Sequence, residues 1–333
     1  MKQHDDLDHR LEALRESEKA TSPSPPVQEE LLALERLIRR RVRRICLKTL
    51  SAVVICAILI FGLIHPLAKW TTFNPISMEE DGQAFTNYLN AYFGTMQPYV
   101  RVTGTSIEDT GFGTYDVSVY VVGTENLKVY IGGYTDVHLS VRQGKAEVTS
   151  DPTGKLTKYL GRFDSDLMAS GELLSELEKL PDSAYIRLSV GTHTPLTLDQ
   201  LWELPAEVVW AQIYDPNVEY QGGVNLAVPL LFGGELNPRD LDGGALVQYY
   251  ADTLELLLTQ PTLLTSLGIF SSDRIYYTTD VVEEALTSAR EMRDFTSQNY
   301  CVQGSKDEIL DLIGQVEPTS LMVDHIFLTP LSD

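Results

Sequence analysis

Residues 39–70 read RRRVRRICLKTLSAVVICAILIFGLIHPLAKW, and the reading of this stretch divides the chain. Between Lys48 and Lys69 lie twenty residues without a formal charge. As a helix rising ~1.5 Å per residue they span ~30 Å, the thickness of a bilayer's hydrocarbon core. A lone crossing segment must be helical, because only a helix pairs its own backbone polar groups. Arg36, Arg39, Arg40, Arg41, Arg43, Arg44 and Lys48 precede the run, and Lys69 alone follows it closely. The positive-inside bias makes Arg39, Arg40, Arg41, Arg43 and Arg44 topology-setting, with the N-terminus expected in the cytoplasm and residues 70–333 outside. Trp70 stands where an interfacial aromatic belongs, and Pro66 is expected to end the helix. The polar stretch before the arginines and the length of the apolar run argue against a cleaved signal peptide.

The formal charge of −21 is unevenly spread. Residues 1–48 hold 11 basic and 9 acidic groups, whereas residues 70–333 hold 14 basic and 38 acidic. So acidic an outer part excludes nucleic-acid binding through phosphate contacts. Three cysteines do not make a disulfide framework. Cys46 and Cys56 fall in or beside the membrane segment, and Cys301, in an apolar strand-like run, reads as a buried thiol.

Residues 1–27 form a tail. Leu7, Leu11 and Leu14 make one narrow helical stripe, and TSPSPP (21–26) is a break. From Gln28 a second helical pattern runs without a breaker into the apolar run, giving a juxtamembrane and membrane region over 28–69 with the span at about 49–68. Leu31, Leu34 and Ile38 continue the apolar spacing. Stripes of this kind can lie in a partner's groove, so these six residues are the candidate partner-binding positions. The alternative is that 31–38 only extends the membrane helix and 5–20 has no fixed structure.

Outside, the fold class expected is α+β, with two mixed domains at 70–165 and 170–333. In the first, Phe85, Tyr88, Leu89 and Tyr92 make a helical stripe, and Tyr115, Val117, Val119 and Val121 share one face of a strand at 114–122. KVYIGG and TDVHLSVRQGKAEV continue as strands with a turn at QGK, and 150–165 reads as a connector. In the second, strands are expected at 185–190, 207–213, 300–304 and 321–328, with helices at 243–260 and 281–295. Thr197-Leu-Asp-Gln200 and Ser305-Lys-Asp-Glu308 are capping-box patterns, each opening a short helix between two strands. Strand, capped helix, strand thus occurs twice, which suggests a repeated unit.

No catalytic signature is visible. His65, His138, His193 and His325 are neither in H-E-x-x-H nor paired with cysteine at ligand spacing. There is no G-x-S-x-G and no P-loop. Asp240-Leu-Asp242 lacks the further ligands of a calcium loop and reads as a helix N-cap. The chain is therefore read as a non-enzyme without cofactor or metal. The glycines of 222–234 serve either a ligand or a mobile loop, and the sequence leaves both open.

Residues 177–216 and 300–328 resemble the C-terminal domain of the sigma-factor-regulator family, membrane-anchored anti-sigma factors of extracytoplasmic-function sigma factors in Gram-positive bacteria. The residues that carry the likeness are Leu180-Pro181 before a strand, Pro195-Leu196-Thr197 with Leu201, the strand ending at Trp210, and Gly304-Ser305 with Glu308-Ile309-Leu310 and Leu312. The arrangement before them is also similar: a basic segment, one membrane helix, Asn74-Pro75, a Tyr-rich helix and an alternating strand. The resemblance implies that the outer domains sense or assemble with envelope components while the tail holds a sigma factor, with a membrane-protein partner carrying the signal across. The tail departs from zinc-type anti-sigma domains in lacking H-x3-C-x2-C. A competing reading is an envelope binding or assembly module with a passive anchor.

Overall fold

The structure, a computed structural model, describes residues 25–64, 67, 73–80, 84–96, 98, 100–123, 135–150, 171–218, 222–227, 230, 236–268 and 278–328. It divides into two compact units, Met1–Leu67 and Ala68–Asp333.

The described part of the first unit is one long helix. α1 runs Pro25–Leu59 and passes into a π turn at Ile60–Ile64. Proline is tolerated in a helix's first turn, so Pro25 and Pro26 begin the element rather than break it. Of the span expected at about 49–68, the helix is described through the π turn and again at Leu67; residues 65, 66 and 68 lie outside the described residues. Ala33–Ile64 is long and apolar enough to cross a membrane. Arg39 pairs with Glu35 one turn earlier, at 2.7 Å.

The second unit is mixed α and β. It opens with α2 (Pro75–Glu80) and α3 (Ala84–Met96). Four strands follow: β1 (Val100–Gly111), β2 (Thr114–Gly123), β3 (Thr135–Arg142) and β4 (Lys145–Ser150). They pair in chain order as an antiparallel meander. The strand alternation of β2 becomes a buried face of Tyr115, Val117, Val119 and Val121, which meets the stripe Phe85, Tyr88, Leu89 and Tyr92 of α3 in one core. Asn90 ties helix to sheet, donating to the Val102 carbonyl at 2.5 Å and accepting from its N–H at 2.7 Å. β1, with little apolar alternation, is a strand the sequence pattern did not announce. KVYIGG and the connector from 151 onward lie outside the described residues.

The rest of the unit contains α4 (Gly171–Glu178), β5 (Tyr185–Thr197), α5 (Leu198–Trp202), β6 (Glu207–Gln212), β7 (Gly223–Asn225), α6 (Gly243–Leu258), α7 (Pro261–Gly268), α8 (Thr279–Glu291), β8 (Thr296–Ser305), α9 (Lys306–Val316) and β9 (Ser320–Phe327). Both capping boxes are formed, at Thr197–Gln200 and at Ser305–Glu308. Each satisfies two of the orphan N–H groups at a helix start. The sheet order is β7-β6-β8-β5-β9, with every pairing antiparallel. β5 and β6 therefore run parallel with β8 between them, and β8 and β9 run parallel with β5 between them. This is the connectivity of two interleaved split β-α-β crossovers.

Ile186, Leu188, Val190, Tyr300 and Val302 face a core completed by Leu198 and Leu201 of α5 and Ile309 and Leu312 of α9. The same continuous core includes the buried face of the meander. Tyr88 donates to the carbonyls of Leu257 and Gln260 at 3.1 and 3.2 Å, and Trp210 Nε1 donates to Gly94 O at 3.0 Å, so α3 is fastened to the end of α6 and to β6 by polar contacts as well. Asp215, just after β6, accepts from the Ser288 hydroxyl of α8 and from Asn217, which holds its carboxyl below the usual range.

Candidate functional site

In β5 the pairing with β8 is broken. Gly191 lies opposite Asn299, yet Leu196 lies opposite Ser297, so residues 192–195 bulge out of the ladder. Pro195 explains part of this, since it has no N–H for the ladder and strands accept proline at bulges. The bulge is pinned from β8: Gln298 Nε2 donates to His193 O at 2.7 Å, and the Thr192 hydroxyl lies 2.9 Å from Thr194 O and 3.3 Å from Gln298 O. Beneath it the backbone packs so tightly that a Cβ on Gly191 would overlap the Ser320 hydroxyl of β9.

The bulge forms one wall of an open cleft of about 420 Å³. Gln200, Glu203 and Leu204 of the α5 end form a second wall, and Gln315, Val316 and Glu317 of the α9 end form a third. Glu203 and Glu317 are the C-terminal caps of those two helices. Glu317 sits in the left-handed region, at φ 48°. Carboxylates at helix C-termini face the negative end of the helix dipole, which favours cations instead. The cleft is thus polar and electronegative, and its chemistry suits a ligand bearing a cationic group and hydrogen-bond donors.

The opposite face of the same sheet carries a polar row. Gln303 bridges Glu207, at 2.8 Å, and Arg187 Nε, at 3.4 Å. Arg187 lies over the Phe327 ring, 5.3 Å from its centroid, and the His325 ring sits against that ring at 4.3 Å, tilted by 50°. A bulge at Asp324 lets its carboxylate accept from Ser189 at 2.7 Å, and Ser189 touches the buried Cys301. The thiol is buried as its sequence context suggested.

Leu34 and Ile38 are exposed on α1, as are Arg39, Arg40, Arg41, Arg43 and Arg44. Leu31 is in the same helix. Leu7, Leu11 and Leu14 lie outside the described residues. Of the histidines, His193 belongs to the cleft, His138 is exposed beside Ser118 at 3.1 Å, and His65 lies outside the described residues. Asp242 is the N-cap of α6, accepting from Ala245 at 2.7 Å. Among the described residues no three His, Cys, Asp or Glu side chains gather as metal ligands. In the Gly-rich stretch, Gly222 N–H donates to the Tyr250 hydroxyl at 3.0 Å, and Gly223 packs on Trp210. Residues 231–235 are not described. Sequence reading missed the cleft because its third wall, Gln315–Glu317, is more than 100 residues beyond the other two in the chain; Pro195 within a strand was the one local signal.

No protein-family model, curated protein or solved structure matches the chain.

Proposed function

We propose that the chain is a single-pass membrane regulator of the anti-sigma type, with residues 1–48 in the cytoplasm and the acidic unit outside. The observation that carries this reading is the unbroken helix Pro25–Leu59, which brings exposed Leu34, Leu37, Ile38, Val42 and Ile45 directly into the candidate span. Apolar side chains held in water ahead of a membrane helix gain ~25 cal/mol per Å² when a partner covers them. The sigma factor is that partner, and Leu7, Leu11, Leu14, Leu31, Leu34 and Ile38 are its contact positions. The one-sided arginines support the orientation, and the likeness at 177–216 and 300–328 supports the class. The symmetric order of the two split crossovers supports a repeated unit in an outer regulator domain at 170–333, preceded by a membrane-proximal domain at 70–165. A second membrane protein passes the signal, because Ser51, Ala52, Ala57 and Gly62 do not form a G-x-x-x-G dimer face.

The experiment is affinity capture of the full chain from its own membranes in mild detergent, beside a chain lacking residues 1–27, with sigma-dependent transcription measured in parallel. A sigma factor held by the first and lost from the second, with transcription rising, supports the reading. Unchanged transcription after the deletion removes Leu7, Leu11 and Leu14 from the interface. Capture of envelope proteins alone favours the second reading, an outer binding module with a passive anchor, which the cleft at Glu203 and Glu317 supports.

A further inference from the structure

The meander ends on one side in two adjacent turns. β1 and β2 join through Gly111-Phe112-Gly113, three successive residues at positive φ, and β3 and β4 join through Gln143-Gly144, both at positive φ. Gln143 N–H donates to Gly113 O at 3.4 Å, which binds the tips together. The last row of the sheet is Thr114 opposite Arg142 and Arg142 opposite Lys145.

Three features of this double tip work against stability. Phe112 has a left-handed backbone, which non-glycine residues adopt at a cost, and leaves a large apolar ring 45% exposed. Arg142 and Lys145 are like charges directly opposite one another, a destabilising cross-strand pair. Both are exposed, and neither has an ion pair with a described carboxylate. They are basic in a region where acidic residues outnumber basic ones 38 to 14. One carboxylate belongs to the tip, Asp109, which accepts from the Gly111 N–H at 2.8 Å; the others lie one row behind, where Glu108 pairs with Asp116, Asp116 with Ser140 and Ser140 with Glu147. The tip thus presents two cations and an aromatic ring against one carboxylate, which is turned onto the turn's own backbone.

The tip is also tethered. Gly144 packs on Phe73, where an added Cβ would come within 3.3 Å of the phenylalanine Cβ. Phe73 follows the last residue of the candidate span, Ile64, by nine residues, so the connecting chain reaches at most ~32 Å.

We propose that the double tip docks on the anionic lipid surface of the membrane in which the chain is anchored. Phe112 enters the headgroup region, Arg142 and Lys145 pair with lipid phosphates, and Asp109 stays bound to the Gly111 N–H. This rests on the uncharged run after Lys48, within the helix Ala33–Ile64, crossing the bilayer, and is independent of any cytoplasmic partner.

The test uses the full chain in nanodiscs of phosphatidylcholine alone or with phosphatidylglycerol, each with brominated acyl chains. A Phe112→Trp variant adds one indole to the three native ones. Docking predicts that its added emission is quenched in the anionic discs and much less in the neutral ones. It also predicts that Arg142→Glu with Lys145→Glu lowers the docked fraction, by about fivefold for each charge removed. Hydrogen exchange of residues 108–116 in the unsubstituted chain must show matching protection by anionic lipid, which keeps the test valid should the variants unfold. Incorporation without quenching or protection, equal effects in both lipids, or persistence after charge reversal overturns the docking. Protection that appears only with two copies in a disc overturns it in favour of a protein occupant. Failure of the chain to enter either disc overturns the spanning helix and the docking with it.

Discussion

The two sheets of the second unit use the same alternation for different ends. In the meander, Val117 and Val119 of β2 are buried while Asp116 of the same strand faces out, and the polar face is wet. In the crossover sheet, β5 alternates Ile186, Arg187, Leu188, Ser189, Val190, yet all five are buried. Its polar side is not a solvent face but a row of paired side chains. Period-two patterning therefore identifies a strand and its apolar face, and says nothing of what covers the other face.

The largest expected effects separate the sheets by burial. Leu188→Ala, in a strand covered on both faces, should cost about 4 kcal/mol, and Val119→Ala, in the one-sided meander, about 2 kcal/mol. Urea denaturation of each variant checks this, and equal losses would break the distinction. The two arginines sharpen it. Arg187→Ala strips the bridge to Gln303 and the stack on Phe327 and should cost about 2 kcal/mol. Arg142→Ala, on the wet face opposite Lys145, should stay within about 0.5 kcal/mol or stabilise slightly.

Two tyrosines give smaller effects of opposite sign. The Tyr88 hydroxyl donates to two carbonyls, so Tyr88→Phe should cost about 1 kcal/mol. The Tyr300 hydroxyl is buried without a hydrogen-bond partner among the described residues, so Tyr300→Phe should gain about 1 kcal/mol. Thermal melts of the two variants distinguish them. Burial pushes both phenols well above their ordinary value. Above about pH 10 the unfolded tyrosines lose protons that the folded ones keep. Stability is then full below that pH and falls as pH rises beyond it. The double Tyr→Phe variant should flatten this decline in denaturation measured between about pH 9 and pH 11.

Much of the fold was legible in local chemistry. The capping boxes at Thr197 and Ser305, the apolar stripe of α3, the alternation of β2 and the QGK turn are all short-range signals, and each formed as expected. β1 was missed because Thr103, Thr105, Ser106 and Asp109 dilute its apolar positions. α7 was missed because its eight residues show no cap pattern before Pro261. The α8 helix stops at Glu291 rather than running to 295, as Met292 turns to an extended backbone. The cleft was not legible, since α5 and α9 meet only once the crossovers have closed. The tail positions Leu7, Leu11 and Leu14 rest on spacing alone.

The split crossovers also impose an order of events in time. The meander can close when residue 150 has emerged, because each strand pairs with the next one made. β5 has no such neighbour: Arg187 waits for Gln303, 116 residues later. At synthesis rates of about 5–20 residues per second that wait is on the order of ten seconds. Through it an apolar strand has both edges open, which leaves 185–190 exposed to proteases and holding chaperones while the chain is being made.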